Sequence, residues 1–513
     1  MQLKEKTITA LFWSFIDTIA GQGINIMAGI ILARLLMPRE FGLIGMVLVF
    51  FALSEAFINS GFTSALIRKK ECTQSDYSTV FFFNLFAGIA FFGILFIGAP
   101  FISRFFNEPQ LTAIVRVLGL VLIIDAATLI QRTILTRNLD FKTQARVSFI
   151  ASAGSGVVAV AMAVNGLGVW SLVAQRLSRE LIYSVCLFIW NRWKPQLVFS
   201  MKSFKELFGF GSKLLASSLI DNFYNNVYYL LIGRYFSAAQ LGFFTKADEY
   251  NRMPSQNISG IVQRVSYPVL CSVQDDNERL VAVYRKFIRY TMFITFLFMM
   301  ALAAMAEPMI ITLIGEKWHN SVDYFRMLCF VGMFFPLHVL NLNIIQVKGR
   351  SDLFLKLEVI KKITAVPAII LGVIYGIKVM IIGMMVNTLL DFYLNNHWSR
   401  KMIGYSFMAQ VRDILPSFVM AVFVSGIVYS LGLLLPYSHG VNLLILTLTG
   451  ALLALVICES TGFKDYVYLR DIIMEKTGTS RIMQGMKVFG FRLVTLPVKA
   501  SVMLFRSEGK RKK

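Results

Sequence analysis

The sequence predicts an all-α integral membrane protein of about fourteen transmembrane helices, built as two six-helix lobes with two further helices. Three observations carry this. Of 513 residues 56% are hydrophobic and 16% charged, against about 25% charged in soluble domains, and the mean hydropathy is +0.65. Apolar runs of about 20 residues recur along the chain. The stretch 31–42 (Ile-Leu-Ala-Arg-Leu-Leu-Met-Pro-Arg-Glu-Phe-Gly) is echoed at 231–242 (Leu-Ile-Gly-Arg-Tyr-Phe-Ser-Ala-Ala-Gln-Leu-Gly). Each is an apolar helix closing on an arginine (Arg34, Arg234), a short turn, then Phe-Gly or Leu-Gly opening the next helix. Ser60-Gly61 against Ser259-Gly260 is a weaker echo.

Taken in order, hydropathy places spans near 8–36, 41–66, 79–102, 111–136, 145–165, 167–190, 207–235, 240–272, 287–306, 321–347, 357–376, 378–398, 411–435 and 440–458. The first follows Met-Gln-Leu-Lys-Glu-Lys without a small-residue cleavage signature, so it reads as an uncleaved span. The seventh and eighth are unusually polar; a count of about twelve, with one hairpin re-entrant, is the alternative. Equal six-span halves enter the membrane in the same direction, as in parallel-repeat transporters. The domain map is therefore an N-terminal lobe (1–190), a cytoplasmic linker (191–206), a C-terminal lobe (207–400), two additional helices (401–460) and a basic amphipathic tail (461–513). In that tail Phe463, Tyr466, Leu469 and Ile472 alternate with Lys464, Asp465, Arg470 and Asp471, and a second apolar-basic stretch runs from about 481 to 505. Both read as interfacial segments on anionic headgroups.

The net charge of +22 is spread between hydrophobic segments, not along one soluble face, so it reads as an orientation signal and not as a nucleic-acid surface. Arg68, Lys69 and Lys70; Arg137, Lys142 and Arg146; Arg192, Lys194, Lys202 and Lys205; and Lys348, Arg350 and Lys356 fall in alternate connections. Connections 37–40, 165–168 and 436–440 are short and nearly uncharged. Both termini are then cytoplasmic. The five cysteines are dispersed and form no CxxC pair, and four scattered histidines offer no ligand cluster. No phosphate loop, HExxH or nucleophile elbow is present, so neither enzyme chemistry nor a cofactor or metal is expected.

What remains is charge at membrane depth: Asp17, Glu55, Asp125, Arg132, Arg176, Arg179 and Glu180 in the first lobe; Asp221, Arg234, Lys246, Asp248, Glu249, Arg252, Arg264 and Asp391 in the second. Each costs about 2.5–3.5 kcal/mol at the bilayer centre unless it faces protein or water. Some have a plain reading. Arg176–Glu180 and Asp248–Arg252 are i,i+4 pairs, and Arg34 and Arg234 at helix ends can snorkel. The ensemble points to a polar cavity. Asp221, Asn225, Tyr228 and Tyr229 share a helix face suited either to sugar or to a polar helix–helix contact. Basic groups beside that face fit an anionic sugar lipid, because guanidinium and ammonium groups match phosphate oxygens.

Trp13-Ser14-Phe15, Ile31 to Leu36 through Phe41-Gly42-Leu43, Asp76 to Val80, Asn138-Leu139-Asp140-Phe141, Gly166 to Trp170, Phe210 to Lys213, Gln274 to Arg279 and Val347 to Asp352 together resemble the colanic-acid-type branch of the Wzx repeat-unit flippases. The resemblance covers the chain to about residue 460. It implies the fold of the multidrug/oligosaccharidyl-lipid/polysaccharide (MOP) exporter group. It further implies a bacterial inner-membrane protein that moves an undecaprenyl-pyrophosphate-linked oligosaccharide. The expected substrate-binding residues are Arg34, Arg132, Arg176, Arg234, Lys246, Arg252, Arg264, Asp221, Asn225 and Tyr228; Asp17, Glu55, Asp125 and Asp391 are candidates for proton or ion coupling. Membrane lipids, the polysaccharide polymerase and the chain-length machinery are the expected partners, with the chain a monomer. The alternatives are a multidrug/cation antiporter, which favours an acidic, aromatic cavity, and a membrane glycosyltransferase or polymerase, which needs a large extramembrane loop.

Overall fold

The computed structural model describes residues 21–59, 61–191 and 193–477, so Asp17 and the segment from about 481 lie outside the described residues. The described residues are helical throughout their regular structure, without strands. They form α1 (Gly21–Leu35), α2 (Pro38–Asn59), α3 (Phe62–Arg68), α4 (Gln74–Phe106), α5 (Leu111–Arg137), α6 (Phe141–Val164) and α7 (Val169–Trp190). Next come α8 (Met201–Tyr235), α9 (Ala238–Ser272), α10 (Asn277–Ala304), α11 (Ala306–Ile314), α12 (Asn320–Met333) and α13 (Phe335–Val347). The chain continues through α14 (Ser351–Thr364), α15 (Val366–Tyr375), α16 (Ile377–Ile403), α17 (Phe407–Leu434), α18 (His439–Ser460) and α19 (Lys464–Thr477). Among the described residues nine helical stretches are long and apolar enough to cross a membrane. The polar α7, α8 and α9 are not among them.

Local chemistry sets the boundaries. Thr73 and Asp76 form a capping box at the start of α4, and Asp140, Ser200, Asp276 and Ser406 cap α6, α8, α10 and α17. The expected span 41–66 is two helices, because the backbone turns left-handed at Gly61 (φ 68°). Two other expected spans are interrupted near Pro336 and Pro367, each at the start of the second piece, where a missing N–H is harmless; α11, which holds Pro308, begins where the expected span 287–306 ends. Pro100, Pro254, Pro268 and Pro416 instead lie inside continuous helices.

The described residues divide into two compact units, one within Met1–Tyr250, Ile310–Phe325 and Thr364–Gly383, the other within Asn251–Met309, Arg326–Ile363 and Met384–Lys513. In the first unit α4 packs on α5, α6 on α7 and α2 on α8. A cluster of Phe62, Leu66, Val80, Phe81, Ile130 and Leu207 ties α3, α4, α5 and α8 together.

The two sequence echoes meet here. α2 and α9 cross so closely that a Cβ on Gly42 would lie 1.7 Å from the Ala238 carbonyl oxygen, and one on Gly242 would lie 1.8 Å from the Pro38 carbonyl oxygen. The contact is reciprocal, as across a local twofold axis. The echoed arginines are exchanged too. Arg34 Nε donates to the Leu313 carbonyl (2.8 Å) and its Nη2 to that of Thr312, while Arg234 Nη1 donates to the Phe105 carbonyl. Each guanidinium thus satisfies orphan carbonyls at the end of a helix (α11, α4) from the opposite half of the sequence. Trp318, fully buried, donates Nε1 to the Ala33 carbonyl (2.8 Å) and packs edge-on against Phe41 and Phe243. Lys317 Nζ donates to the Arg34 carbonyl (2.7 Å); burial draws its ammonium below the usual lysine range, with the Glu40 carboxylate opposing.

In the second unit α10 packs on α17 around a buried polar chain. Tyr284 donates to Asn341 Oδ1 (2.7 Å), Gln410 Nε2 to the same oxygen (3.1 Å), and Asn396 Nδ2 to Gln410 Oε1 (3.1 Å). α19 docks on this unit. Phe463 stacks on Phe293 (5.5 Å), Tyr468 on Tyr290 (4.6 Å), and Asp465 pairs with Arg289 (2.6 Å). Phe463, Tyr466 and Leu469 of the amphipathic pattern are half-buried against this unit.

Candidate functional site

Five charges of the first unit gather on three helices. Glu55 comes from α2, Asp125 and Arg132 from α5, and Arg176 and Glu180 from α7. Arg176 Nη2 donates to Glu55 Oε1 at 2.9 Å, a partner on another helix and not the i,i+4 neighbour. Arg132 pairs with Asp125 at 3.6 Å and stands over the Tyr183 ring at 4.9 Å. Glu180 lies within electrostatic reach of Glu55, Asp125 and Arg132, so the groups act as one cluster. Tyr183 was missed by the sequence reading. Its signal was there, since Arg176, Glu180 and Tyr183 recur at i, i+4 and i+7 on one face.

Beside Arg132 opens a cavity of about 430 Å³ among α2, α3, α5 and α8. Its wall is hydroxyl-rich: Thr63, Ser64, Thr133, Thr136 and Ser218, with the Asn59 amide. Among the described lining residues the charge is that of Arg132. Arg132 Nε and Thr63 Oγ1 are both buried without a hydrogen-bond partner. Neither atom is open to the cavity itself, but the Arg132 side chain as a whole is 42% exposed, so part of it stays within reach of a ligand. Sequence reasoning found Arg132 but not the hydroxyls, because threonine and serine in apolar helices usually bond back to their own helix. Thr133 and Thr136 do this, at 2.8 and 3.0 Å.

The other expected residues are elsewhere. Lys246 is almost fully buried, paired with Glu249 (2.8 Å) and set over the Phe41 ring (4.5 Å). Arg34 and Arg234 engage the helix-end carbonyls described above, and Arg234 also stands over the Phe105 ring at 5.0 Å. On α8 Asp221 and Asn225 are exposed and Tyr228 is buried; the neighbouring Tyr229 donates to Asp248 Oδ2 (2.6 Å). Arg252 (half-buried), Arg264 (exposed) and Asp391 belong to the second unit, where Asn387 Nδ2 approaches Asp391 Oδ2 at 3.4 Å. Among the described residues no group of His, Cys, Asp or Glu could hold a metal ion.

Long apolar helices with ion pairs between them and a polar cavity define a polytopic membrane transport protein. Solved structures share this fold. The lipid II flippase MurJ in an inward closed conformation covers 90% of this chain and all of its own at 14% identity, with a TM-score of 0.71. An inward-facing multidrug resistance MATE family transporter of the MOP superfamily covers 77% of this chain and 98% of its own at 17% identity, with a TM-score of 0.59. Residues 31–323 match the family described as "Polysaccharide biosynthesis protein". The chain belongs to that family and is a multi-pass inner-membrane transport protein, not an enzyme. Similar proteins include WzxC of Escherichia coli K12, a lipopolysaccharide biosynthesis protein that is 25% identical over 447 residues (85% of this chain, 89% of its own). The teichuronic acid biosynthesis protein TuaB of Bacillus subtilis is 25% identical over 349 residues (66% and 71%). The succinoglycan biosynthesis transport protein ExoT of Rhizobium meliloti is 24% identical over 425 residues (82% and 83%).

Proposed function

We propose that the protein is a flippase. It carries an undecaprenyl-pyrophosphate-linked oligosaccharide repeat unit from the cytoplasmic to the outer leaflet by alternating access, for assembly of a surface polysaccharide. Both termini are cytoplasmic in this reading, the lobes are 1–190 and 207–400, and a polymerase takes the product. The observation that carries the reading is the Arg132 cavity: a partly exposed arginine as the charge of its described lining, beside hydroxyls, where α5 ends near the basic connection 137–146. A diphosphate supplies what that wall lacks, several charged acceptor oxygens for the arginine fork, with the Ser64 and Ser218 hydroxyls as further donors. Asp125 then exchanges as counter-ion with the incoming phosphate. Moving about two negative charges outward across an inside-negative membrane releases about 4–5 kcal/mol per 100 mV, enough to bias the cycle.

The antiporter reading draws on one observation, that the carboxylates of Glu55, Asp125 and Glu180 share the cluster with Arg132 and Arg176. One experiment separates the two. In proteoliposomes, flipping of a fluorescent polyprenyl-pyrophosphate-linked oligosaccharide is compared with uptake of a small cationic dye. The flippase moves the lipid, and Arg132→Glu abolishes this without lowering protein level, while Arg132→Lys keeps a fraction. Dye uptake with an inert lipid, or normal flipping by Arg132→Glu, overturns the proposal.

A further inference from the structure

The connections 37–40, 107–110 and 165–168 come together in the first unit on a cleft of about 450 Å³, the size range of small-molecule sites. The cleft includes the start of α5 (Gln110, Ala113, Ile114), whereas the Arg132 cavity includes its end (Leu129 to Thr136). At 1.5 Å per residue these lie about 28 Å apart along one helix, close to the hydrocarbon thickness of a bilayer. The cleft therefore faces the side opposite the Arg132 cavity.

Its floor is apolar, with Leu43 and Ile114, and its rim carries Arg39, Glu40, Gln110 and Trp170. The rim is preset. Glu40 Oε2 accepts the Met37 N–H, and Oε1 lies 2.9 Å from where a Cβ of residue 168 would stand, so only Gly168 (φ 53°) leaves room for it. Arg39 is fixed by a 2.7 Å ion pair to Glu108. Trp170 is 37% exposed, and the Gln110 side chain is exposed at the helix start.

We propose that this cleft is a carbohydrate site that holds one or two neutral sugar rings of the cargo after crossing, an inference that rests on the lipid-linked oligosaccharide reading. A pyranose has an apolar C–H face and a hydroxyl edge. The indole and the apolar floor cover the first; the carboxylate, guanidinium and amide take the second. Side chains already held in place lose less entropy on binding. Among the described residues the cleft offers the diphosphate no free cation, because Glu108 neutralises Arg39 and the nearby Lys317 is balanced by Glu40. The exposed polar rim does not suit a polyprenyl tail. The two ends of α5 thus serve the two ends of one headgroup.

The test is saturation-transfer NMR on the full chain in nanodiscs, with methyl glycosides of glucose, galactose, N-acetylglucosamine and glucuronic acid. At least one neutral glycoside binds, the glucuronide binds more weakly than the glucoside, and Trp170→Ala weakens binding about tenfold while Trp170→Phe, which keeps an aromatic face, stays within about threefold. If Trp170→Ala lowers the melting temperature, Gln110→Ala takes its place and weakens binding in the same direction. No binding by any neutral glycoside, or wild-type binding by the truncated variants, overturns the site. Binding is read without transport. Flipping without glycoside binding therefore sinks the cleft alone, and glycoside binding without flipping sinks the transport reading alone.

Discussion

The crossing of α2 and α9 gives the sharpest prediction. In Gly42→Ala the new methyl carbon starts 1.7 Å from the Ala238 carbonyl oxygen, and real Cβ atoms essentially never come within 3.0 Å of another heavy atom. The helices must part by at least about 1.3 Å, a distortion of the overpacking kind that costs about 1–3 kcal/mol. That cost falls only on conformations in which α2 and α9 touch. It shifts the equilibrium toward conformations in which they separate by about 5–150-fold. Because the obstructing atom is backbone, Ala238→Gly does not rescue the variant. Gly45→Ala is the control: its Cβ would meet Thr245 Oγ1 at 3.0 Å and Leu241 Cδ2 at 3.2 Å, side-chain atoms that can rotate away. The assay is thermal unfolding in detergent together with thiol labelling of Ala238→Cys. We expect lower stability and faster labelling for Gly42→Ala, little change for Gly45→Ala, and the same defect from Gly242→Ala. Equal behaviour of Gly42→Ala and Gly45→Ala, or rescue by Ala238→Gly, would refute the backbone-crossing argument.

Two further outcomes follow from the same unit. Arg34→Ala frees two carbonyls at the end of α11 and lowers stability by about 1–2 kcal/mol, the lower part of the charged hydrogen-bond range because Arg34 is exposed. Unchanged melting of the purified variant would contradict this. Glu55→Gln and Arg176→Gln are non-additive, with a coupling of about 0.5–1 kcal/mol for a half-exposed pair; a double-mutant melting cycle that closes to zero would show that the 2.9 Å contact contributes nothing.

The helical class, the sequence duplication and the first-lobe charge cluster were all legible in the chain, because each rests on composition or on short-range spacing. Glu55, Asp125, Arg132 and Arg176 could be named from their cost in apolar helices alone. Their pairing could not. Arg176 reaches Glu55 across 121 positions, whereas local spacing offers Glu180. The echoed arginines were visible as a motif, but the motif does not say that each one's partner lies in the other half. The Trp318 anchor on Ala33, 285 positions away, left no trace at all. Two spans were read as unbroken because proline is tolerated inside α4, α9 and α17, so its presence near 336 and 367 did not decide continuity.

The exchange of capping arginines bears on how the chain is made. Phe105 waits 129 positions for Arg234, about 6–26 s at about 5–20 residues per second of translation, and Arg34 waits 279 positions for Leu313. During that interval the last turn of α4 lacks its guanidinium, so an early ribosome-released fragment would carry bare carbonyls at a membrane face. A split gene would then yield two polypeptides that insert but stay protease-sensitive apart, each becoming resistant only when its counterpart is synthesised in the same cell.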